Sequence, residues 1–271
     1  MKKIVLVTAF FISTLSGFAG LNSGSLNSTK LDNPVGKEPM ALQPLWPAVS
    51  HLAFQKALDV SGVGFSFTFA GETVGPTISQ SWRVSGEKRG HSQITTFRHS
   101  SGLTVRREVT AFPDYGAIEY TLRFKNESST TLNELGPIQA LDLIFDRQVV
   151  PGVSVVSSGG GGCEASYPPA DFAIQRRDLK SPVMLTTWGG RSSNKDLPFF
   201  FIDNDSLKEG LYVAVGWSGQ WTAETKLENG RLHLTACIPG LQIRLQPGEE
   251  ISGPRMLIGG YHGALAEGSN R

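Results

Sequence analysis

Three tryptophans in the second half of the chain lie next to glycines, and an arginine follows one of them. Trp188 precedes Gly-Gly-Arg191, and Trp217 and Trp221 flank a Ser-Gly-Gln segment. A sugar presents apolar C–H faces beside directional hydroxyl groups, so an indole ring near an arginine suits it. The pattern predicts a carbohydrate contact at Trp188, Arg191, Trp217 and Trp221, with Trp188 and Arg191 as the first candidates. The alternative interpretation is that the rings pack in a core or on a neighbouring domain.

Residues that could catalyse a reaction do not fall into a recognisable motif. Ser218 resembles the serine of a nucleophile elbow, but the glycine after it comes one position too early. Glycoside hydrolysis needs two carboxylates that flank the scissile bond. Five acidic residues are available, and none lies in an acid/base pattern: Asp142, Asp146, Asp171, Glu224 and Glu249. We therefore assign no catalytic residue.

A second interpretation is a sandwich enzyme that acts as an aldose mutarotase. Such an enzyme would use a His/Glu acid–base pair, here His233 or His91 with a glutamate distant in sequence. The histidines show no metal-ligand spacing. The glycines at 159–162 lack the Lys and Ser/Thr of a phosphate-binding loop, and residues 157–162 are interpreted as a flexible loop between strands. We predict no metal and no cofactor.

Composition limits the class of partner. The chain has 271 residues, a net charge of +1 and no basic run longer than two residues. A nucleic-acid-binding surface would need a basic cluster, so nucleic acid is excluded as a partner. With 39% hydrophobic residues, the chain is long enough for one large or two ordinary domains with a buried core.

The N-terminus has the pattern of a signal peptide. Two lysines precede an apolar run at 4–15, and small residues at Gly17 and Ala19 suit cleavage after Ala19. The run is shorter than the roughly 20 residues that span a membrane, although an uncleaved anchor is the alternative. We predict a signal peptide at 1–19, a secreted or periplasmic protein without membrane contact after cleavage, an extended leader at 20–47 and a sandwich domain at 48–271.

Cys163 and Cys237 are the only cysteines. In an oxidising compartment they could form a disulfide, which would add about 4 kcal/mol to the free energy of unfolding in the chain-entropy model. Two separate buried thiols are the alternative.

From Phe65 onward the apolar residues repeat with a period of two. Examples lie at 65–69, 103–111, 118–124, 211–217 and 232–238, with Arg107 interrupting the second row. Alternate side chains of a strand point to opposite faces, so each strand buries one face. Asn229-Gly230 is a strong hairpin signal. A dozen or more strands without a convincing amphipathic helix, apart from one or two helical turns at 52–58, predict a large antiparallel all-β sandwich.

Several segments together resemble one enzyme family. They are GLTVRREVTAFPDYGAIEY at 102–120, LDL at 141–143, GGRSS at 189–193 with LPFF at 197–200, VAVGWSGQW at 213–221, and LQPGEE at 245–250 with PRML at 254–257. In this order they resemble the N-terminal domain of glycoside hydrolase family 36, which contains α-galactosidases. The resemblance covers about residues 60 to 271.

The resemblance implies a β-supersandwich of the galactose-mutarotase-like kind, normally followed by a (β/α)8 barrel that carries the catalytic aspartates. This chain has no counterpart of that barrel, and no matched motif holds a catalytic residue. The expected function is that of a non-catalytic domain that supports or contributes to carbohydrate binding. Its expected partners are an α-galactoside-like glycan or a barrel domain, and it could form oligomers. A plain protein-docking module is a further alternative.

Overall fold

The computed structural model describes residues 64–75, 81–90, 92–148, 152–161 and 172–266. No helix within these residues is long and apolar enough to cross a membrane. The predicted signal peptide, the leader, the helical turns at 52–58, His91 and Cys163 lie outside the described residues. Cys237 is half-buried and forms no disulfide with a described residue.

The described residues contain sixteen strands and a 3-10 turn at Pro113–Tyr115. The strands are β1 (Ser66–Phe69), β2 (Glu72–Val74), β3 (Trp82–Arg89), β4 (Ser92–His99), β5 (Leu103–Phe112), β6 (Ala117–Asn126), β7 (Leu132–Gln148), β8 (Val153–Gly160), β9 (Ile174–Asp178), β10 (Val183–Thr186), β11 (Lys195–Asn204), β12 (Glu209–Gly216), β13 (Thr222–Glu228), β14 (Arg231–Cys237), β15 (Ile243–Leu245) and β16 (Glu250–His262).

The strands form two antiparallel sheets. The seven-stranded sheet has the order β10-β13-β14-β7-β1-β2, and β15 also pairs with β7. The nine-stranded sheet has the order β3-β4-β5-β6-β16-β12-β11-β8-β9. The predicted all-β antiparallel sandwich is confirmed.

The core lies between the two sheets and follows the period of two seen in the sequence. Leu141 and Leu234 of the seven-stranded sheet belong to the same buried cluster as Val213 and Ile258 of the nine-stranded sheet. A second cluster, rich in phenylalanine, surrounds Phe67. The predicted hairpin between β13 and β14 is confirmed, because Asn229 and Gly230 both have positive φ, 51° and 75°.

The glycine-rich run is part of a strand, so its prediction as a flexible loop is wrong for residues 157–160. Gly159 and Gly160 pair with Asp196 and Lys195 of β11. A Cβ atom on Gly160 would lie 1.8 Å from the carbonyl oxygen of Ser193. Glycine is needed here because the loop before β11 approaches the backbone of β8 too closely for any side chain.

A third apolar cluster lies on the outer face of the nine-stranded sheet, on the side away from the core. Tyr212 of β12 and Tyr261 of β16 form its centre. Each ring lies over the glycine opposite it in the neighbouring strand, Gly259 for Tyr212 and Gly210 for Tyr261. A Cβ atom would lie 2.0 Å from the Tyr212 ring at Gly259 and 2.3 Å from the Tyr261 hydroxyl oxygen at Gly210.

Candidate functional site

Two loops that pass from one sheet to the other carry the candidate residues. Residues 187–194 lead from β10 to β11, and residues 217–221 lead from β12 to β13. They are neighbours because β10 and β13 pair, with Thr186 opposite Thr222. We call the two segments the tryptophan loops.

Trp221 fastens the two loops together. Its backbone N–H donates to the Thr187 hydroxyl oxygen at 3.1 Å, and its backbone oxygen accepts from the Thr187 N–H, also at 3.1 Å. The indole N–H donates to the Ser192 carbonyl oxygen at 2.8 Å. The side chain is 0% exposed and belongs to the main core. Its ring therefore offers no face to a sugar, and the packing interpretation describes this residue.

Trp217 is half-buried and packs against the main core. Gly219 lies beneath its indole, since a Cβ atom there would be 2.9 Å from the ring nitrogen. Trp217 thus fixes the course of its own loop. Part of its surface stays accessible, so the predicted sugar contact at Trp217 stays a prediction.

Trp188 and Arg191 project from the tryptophan loops towards solvent. The Trp188 side chain is 55% exposed, and Arg191 is exposed without a hydrogen bond or ion pair to another described residue. Gly189 and Gly190, with φ of 67° and 71°, form the turn between them. The buried Asn194 amide donates to the Trp188 carbonyl oxygen at 3.3 Å. An exposed ring and a cation without a partner among the described residues therefore lie on a loop held at both ends.

The base of these loops is supported by a buried carboxylate. Asp196 is 3% exposed, and its Oδ2 accepts from the Thr186 backbone N–H at 2.9 Å. The Arg177 guanidinium lies 3.9 Å from its other oxygen. Together with the close approach at Gly160, these contacts fix the strands from which the loops emerge. A loop held in this way can present a ring with little loss of conformational entropy on binding.

A second group of polar residues lies on the outer face of the seven-stranded sheet, around His233 of β14. Its Nε2 lies 2.8 Å from Asp142 Oδ1 of β7, and the Ser66 hydroxyl donates to Asp142 Oδ2 at 2.6 Å. Its Nδ1 lies 3.0 Å from Glu228 Oε2, within ion-pair range but not aligned as a hydrogen bond. We call Asp142, His233, Glu228 and Ser66 the histidine cluster.

The charged groups of the histidine cluster shift one another's pKa values. The hydrogen bond to Asp142 raises the pKa of His233, against the opposing effect of burial. Burial alone would raise the pKa of Asp142, but hydrogen bonds from His233 and Ser66 overcome it and the pKa is lowered. Both partners are therefore held in their charged forms over a wider pH range than usual.

The histidine cluster brings together the His and carboxylates that the mutarotase interpretation asked for. Both ring nitrogens of His233 face a carboxylate, however, and its side chain is 13% exposed. A general acid or base needs a nitrogen directed at the substrate. The geometry is therefore that of a structural ion pair, in which His233 is already bound by the carboxylates beside it.

The other acidic candidates among the described side chains have local partners. Glu224 lies 3.9 Å from Lys226, and Glu249 Oε2 accepts from the Gln246 backbone N–H at 2.8 Å in a turn. Asp171 and the side chain of Asp146 lie outside the described part. Within that part, no group of three or more His, Cys, Asp or Glu residues could hold a metal ion.

Some residues of the site escaped the sequence patterns. Thr187 supports the loops through its hydroxyl and backbone, and Ser192 and Gly160 through their backbones. Their residue types alone do not predict these contacts. Asp142 and His233 are 91 residues apart and meet because β7 pairs with β14. Strand pairing at such a separation has no local sequence signal.

No protein-family model and no curated protein sequence matches the chain. Solved structures do match it. An α-galactosidase from Lactobacillus brevis gives a TM-score of 0.58 at 14% identity, over 74% of this chain and 29% of the enzyme. The family 36 α-galactosidase AgaB from Geobacillus stearothermophilus gives 0.57 at 18% identity, over 75% and 30%. An AgaA variant from the same organism, in complex with raffinose, gives the same four values.

The chain shares its fold with part of these α-galactosidases. It spans about three tenths of their length. At the level of fold, the resemblance to glycoside hydrolase family 36 and the supersandwich that it implied are confirmed.

Proposed function

We propose that this chain is a non-catalytic supersandwich domain of an α-galactosidase-like glycoside hydrolase, which supports a catalytic barrel and contributes to glycan binding. The observation that carries the proposal is the fold match, in which three quarters of this chain corresponds to three tenths of family 36 enzymes. The signal-peptide pattern at 1–19 favours a secreted or periplasmic location.

Glycan binding would take place at the tryptophan loops. The exposed Trp188 ring can stack on the apolar face of a sugar, and the exposed Arg191 guanidinium can donate several hydrogen bonds to the sugar's hydroxyl oxygens. Trp221 is left out of this contact because its ring is buried. The α-galactosidase AgaA was solved with raffinose, an α-galactoside, which makes raffinose the first probe.

The test is calorimetric titration of the purified chain with raffinose and with galactose. Trp188→Ala and Arg191→Ala should each weaken binding while the circular dichroism spectrum stays unchanged. Tyr115→Ala is the matched control, because Tyr115 is 53% exposed on a different element and should not affect binding. Absence of binding by the wild-type chain, or unchanged binding by Trp188→Ala, would reject a glycan site at these loops.

The non-catalytic part of the proposal has its own test. The purified chain should not hydrolyse a chromogenic α-galactoside, because no segment that resembles family 36 carries a catalytic residue. Polarimetry should likewise detect no acceleration of galactose mutarotation, because both nitrogens of His233 face carboxylates. Turnover in either assay that is lost on substitution of His233 or Asp142 would assign the chemistry to the histidine cluster instead.

A further inference from the structure

The nine-stranded sheet ends in β3, an eight-residue strand with β4 as its one neighbour among the described strands. Every residue from Arg83 to Arg89 is exposed. An open edge presents unpaired backbone N–H and C=O groups that can pair with another strand. The other edge strands are shorter, with three residues in β2, four in β10 and five in β9. β3 is therefore the longest open edge of the described fold.

We infer that β3 pairs antiparallel with β3 of a second copy of this chain, about a two-fold axis at Ser85. In this register Arg83 lies opposite Glu87 of the second copy, and the symmetry repeats the pair. Val84 lies opposite Gly86, whose missing side chain leaves room for it. The contact is isologous, so it closes as a dimer and leaves neither β3 edge open.

The charged side chains along β3 favour a second copy of β3 as its partner. Arg83 lies opposite Arg98 of β4, and like charges directly opposite each other destabilise a sheet. Arg83 makes no hydrogen bond or ion pair to another described residue, whereas Arg98 donates to the Ser85 hydroxyl at 3.2 Å. Glu87 of the second copy would place a carboxylate beside Arg83. The present partner of Glu87 is Arg89 at 3.0 Å, an exposed pair that contributes little.

The charges also select the register. A shift of the pairing by one residue would exchange the two faces of the strand, so the competing registers are those shifted by two residues. A shift in one direction places Arg83 opposite Arg89, and a shift in the other places it opposite Ser85. The edge strand β9 shows the contrast, because self-pairing about Arg176 would place that arginine against its own copy. In β3 the axis lies at Ser85, which carries no charge.

Sedimentation velocity of the full chain over a concentration series tests the pairing. The wild-type chain should dimerise, more weakly at high salt. Glu87→Arg or Arg83→Glu should raise the dimer dissociation constant by roughly tenfold or more, since each turns two attractive cross-strand pairs into repulsive ones. The double variant Arg83→Glu/Glu87→Arg should restore it. Asp114→Arg reverses an exposed acid elsewhere and should leave dimerisation unchanged.

A wild-type chain that stays monomeric overturns the inference, and so does a dimer that neither single variant weakens. A double variant no better than the singles also rejects it, because the charges would then not face each other.

Ser85→Cys gives a readout that does not depend on charge. Opposite residues of a non-hydrogen-bonded antiparallel pair have Cα atoms about 4.5 Å apart, a separation that a disulfide can bridge. Mild oxidation should link two copies through residue 85, as peptide mapping would show. Ser181→Cys, in an exposed loop, and the wild-type chain with its native cysteines are the controls. Equal cross-linking in all three rejects the axis at Ser85.

Discussion

The strand β13 separates two regions that are stabilised in opposite ways. At its start lies Trp221, fully buried and hydrogen-bonded to Thr187 and Ser192 of the facing tryptophan loop. At its other end lies Glu228, beside His233 in a cluster of charges at the surface. Apolar burial at the first end does not depend on pH, whereas charge pairing at the second end does. The two ends can therefore be perturbed separately.

The largest effect should come from the buried end. Trp221→Ala removes a fully buried indole and the hydrogen bond that its N–H donates to Ser192, so the free energy of unfolding should fall by about 3–5 kcal/mol. Urea unfolding followed by circular dichroism measures the loss. Trp221→Phe is the control, because it keeps a ring in the core but loses the N–H donated to Ser192, and should cost less. A Trp221→Ala variant as stable as a surface variant would contradict the anchoring role.

At the charged end, Asp142→Ala should cost about 1–3 kcal/mol of unfolding free energy, because His233 and Ser66 lose their charged acceptor. The same urea titration applies. Asp114→Ala removes an exposed carboxylate elsewhere and should cost far less. Equal losses in the two variants would show that the histidine cluster contributes nothing specific.

The charged end should also respond to pH. The folded pKa of His233 is raised above its ordinary value of 6.5, so its contribution is fully present below that pH and is lost as pH rises through the folded value. Asp142 sets the lower pH limit of the cluster's stability. Its folded pKa is lowered, so its contribution to the free energy of unfolding is fully present above its ordinary pKa of 3.8 and is lost as pH falls through the folded value.

Thermal unfolding between about pH 6 and pH 9 tests the upper limit. The melting temperature of the wild-type chain should fall relative to that of His233→Gln as pH rises. Lys226 and Glu228 remain in the variant, so they act as an internal control for the other charges that face the ring. Parallel curves for the two proteins would disprove the linkage to His233.

The smallest stability effect should belong to Trp188→Ala. Its ring is 55% exposed, so the free energy of unfolding should change by less than about 0.5 kcal/mol. The same urea experiment places it beside Trp221→Ala. Together the two variants would distinguish Trp188, whose ring is exposed to solvent, from Trp221, whose buried ring stabilises the loop. A large loss for Trp188→Ala would instead show that this ring packs.

Local pattern was sufficient for much of the fold. Alternation of apolar residues located the strands that contain Leu211 and Val213, and Asn229-Gly230 located a hairpin, because both signals act within a few residues. The tryptophans were harder. Type and spacing do not distinguish the exposed Trp188 from the buried Trp221, since which loop residue faces the core depends on how the sheets pack.

The remaining features arise from contacts between distant strands. The sequence predicts a flexible loop at Gly160, because a run of glycines has the same sequence pattern in a mobile loop and in a strand that another backbone approaches closely. Arg107 interrupts an apolar row in the sequence, yet it lies buried at 5% exposure within β5. The contact of Asp142 with His233 required the pairing of β7 with β14. Each of these depends on a partner that no local window contains.

The tyrosine–glycine pairs on the outer face of the nine-stranded sheet have a consequence for sequence variation. Tyr212 with Gly259, and Tyr261 with Gly210, each occupy a space that only one of the two residues can fill. Each pair should therefore change in concert among homologues, with a larger residue in place of glycine accompanied by a smaller one in place of tyrosine. In an alignment of homologues, covariation between positions 212 and 259 and between positions 210 and 261 would then indicate that the β12–β16 register is the same in those proteins.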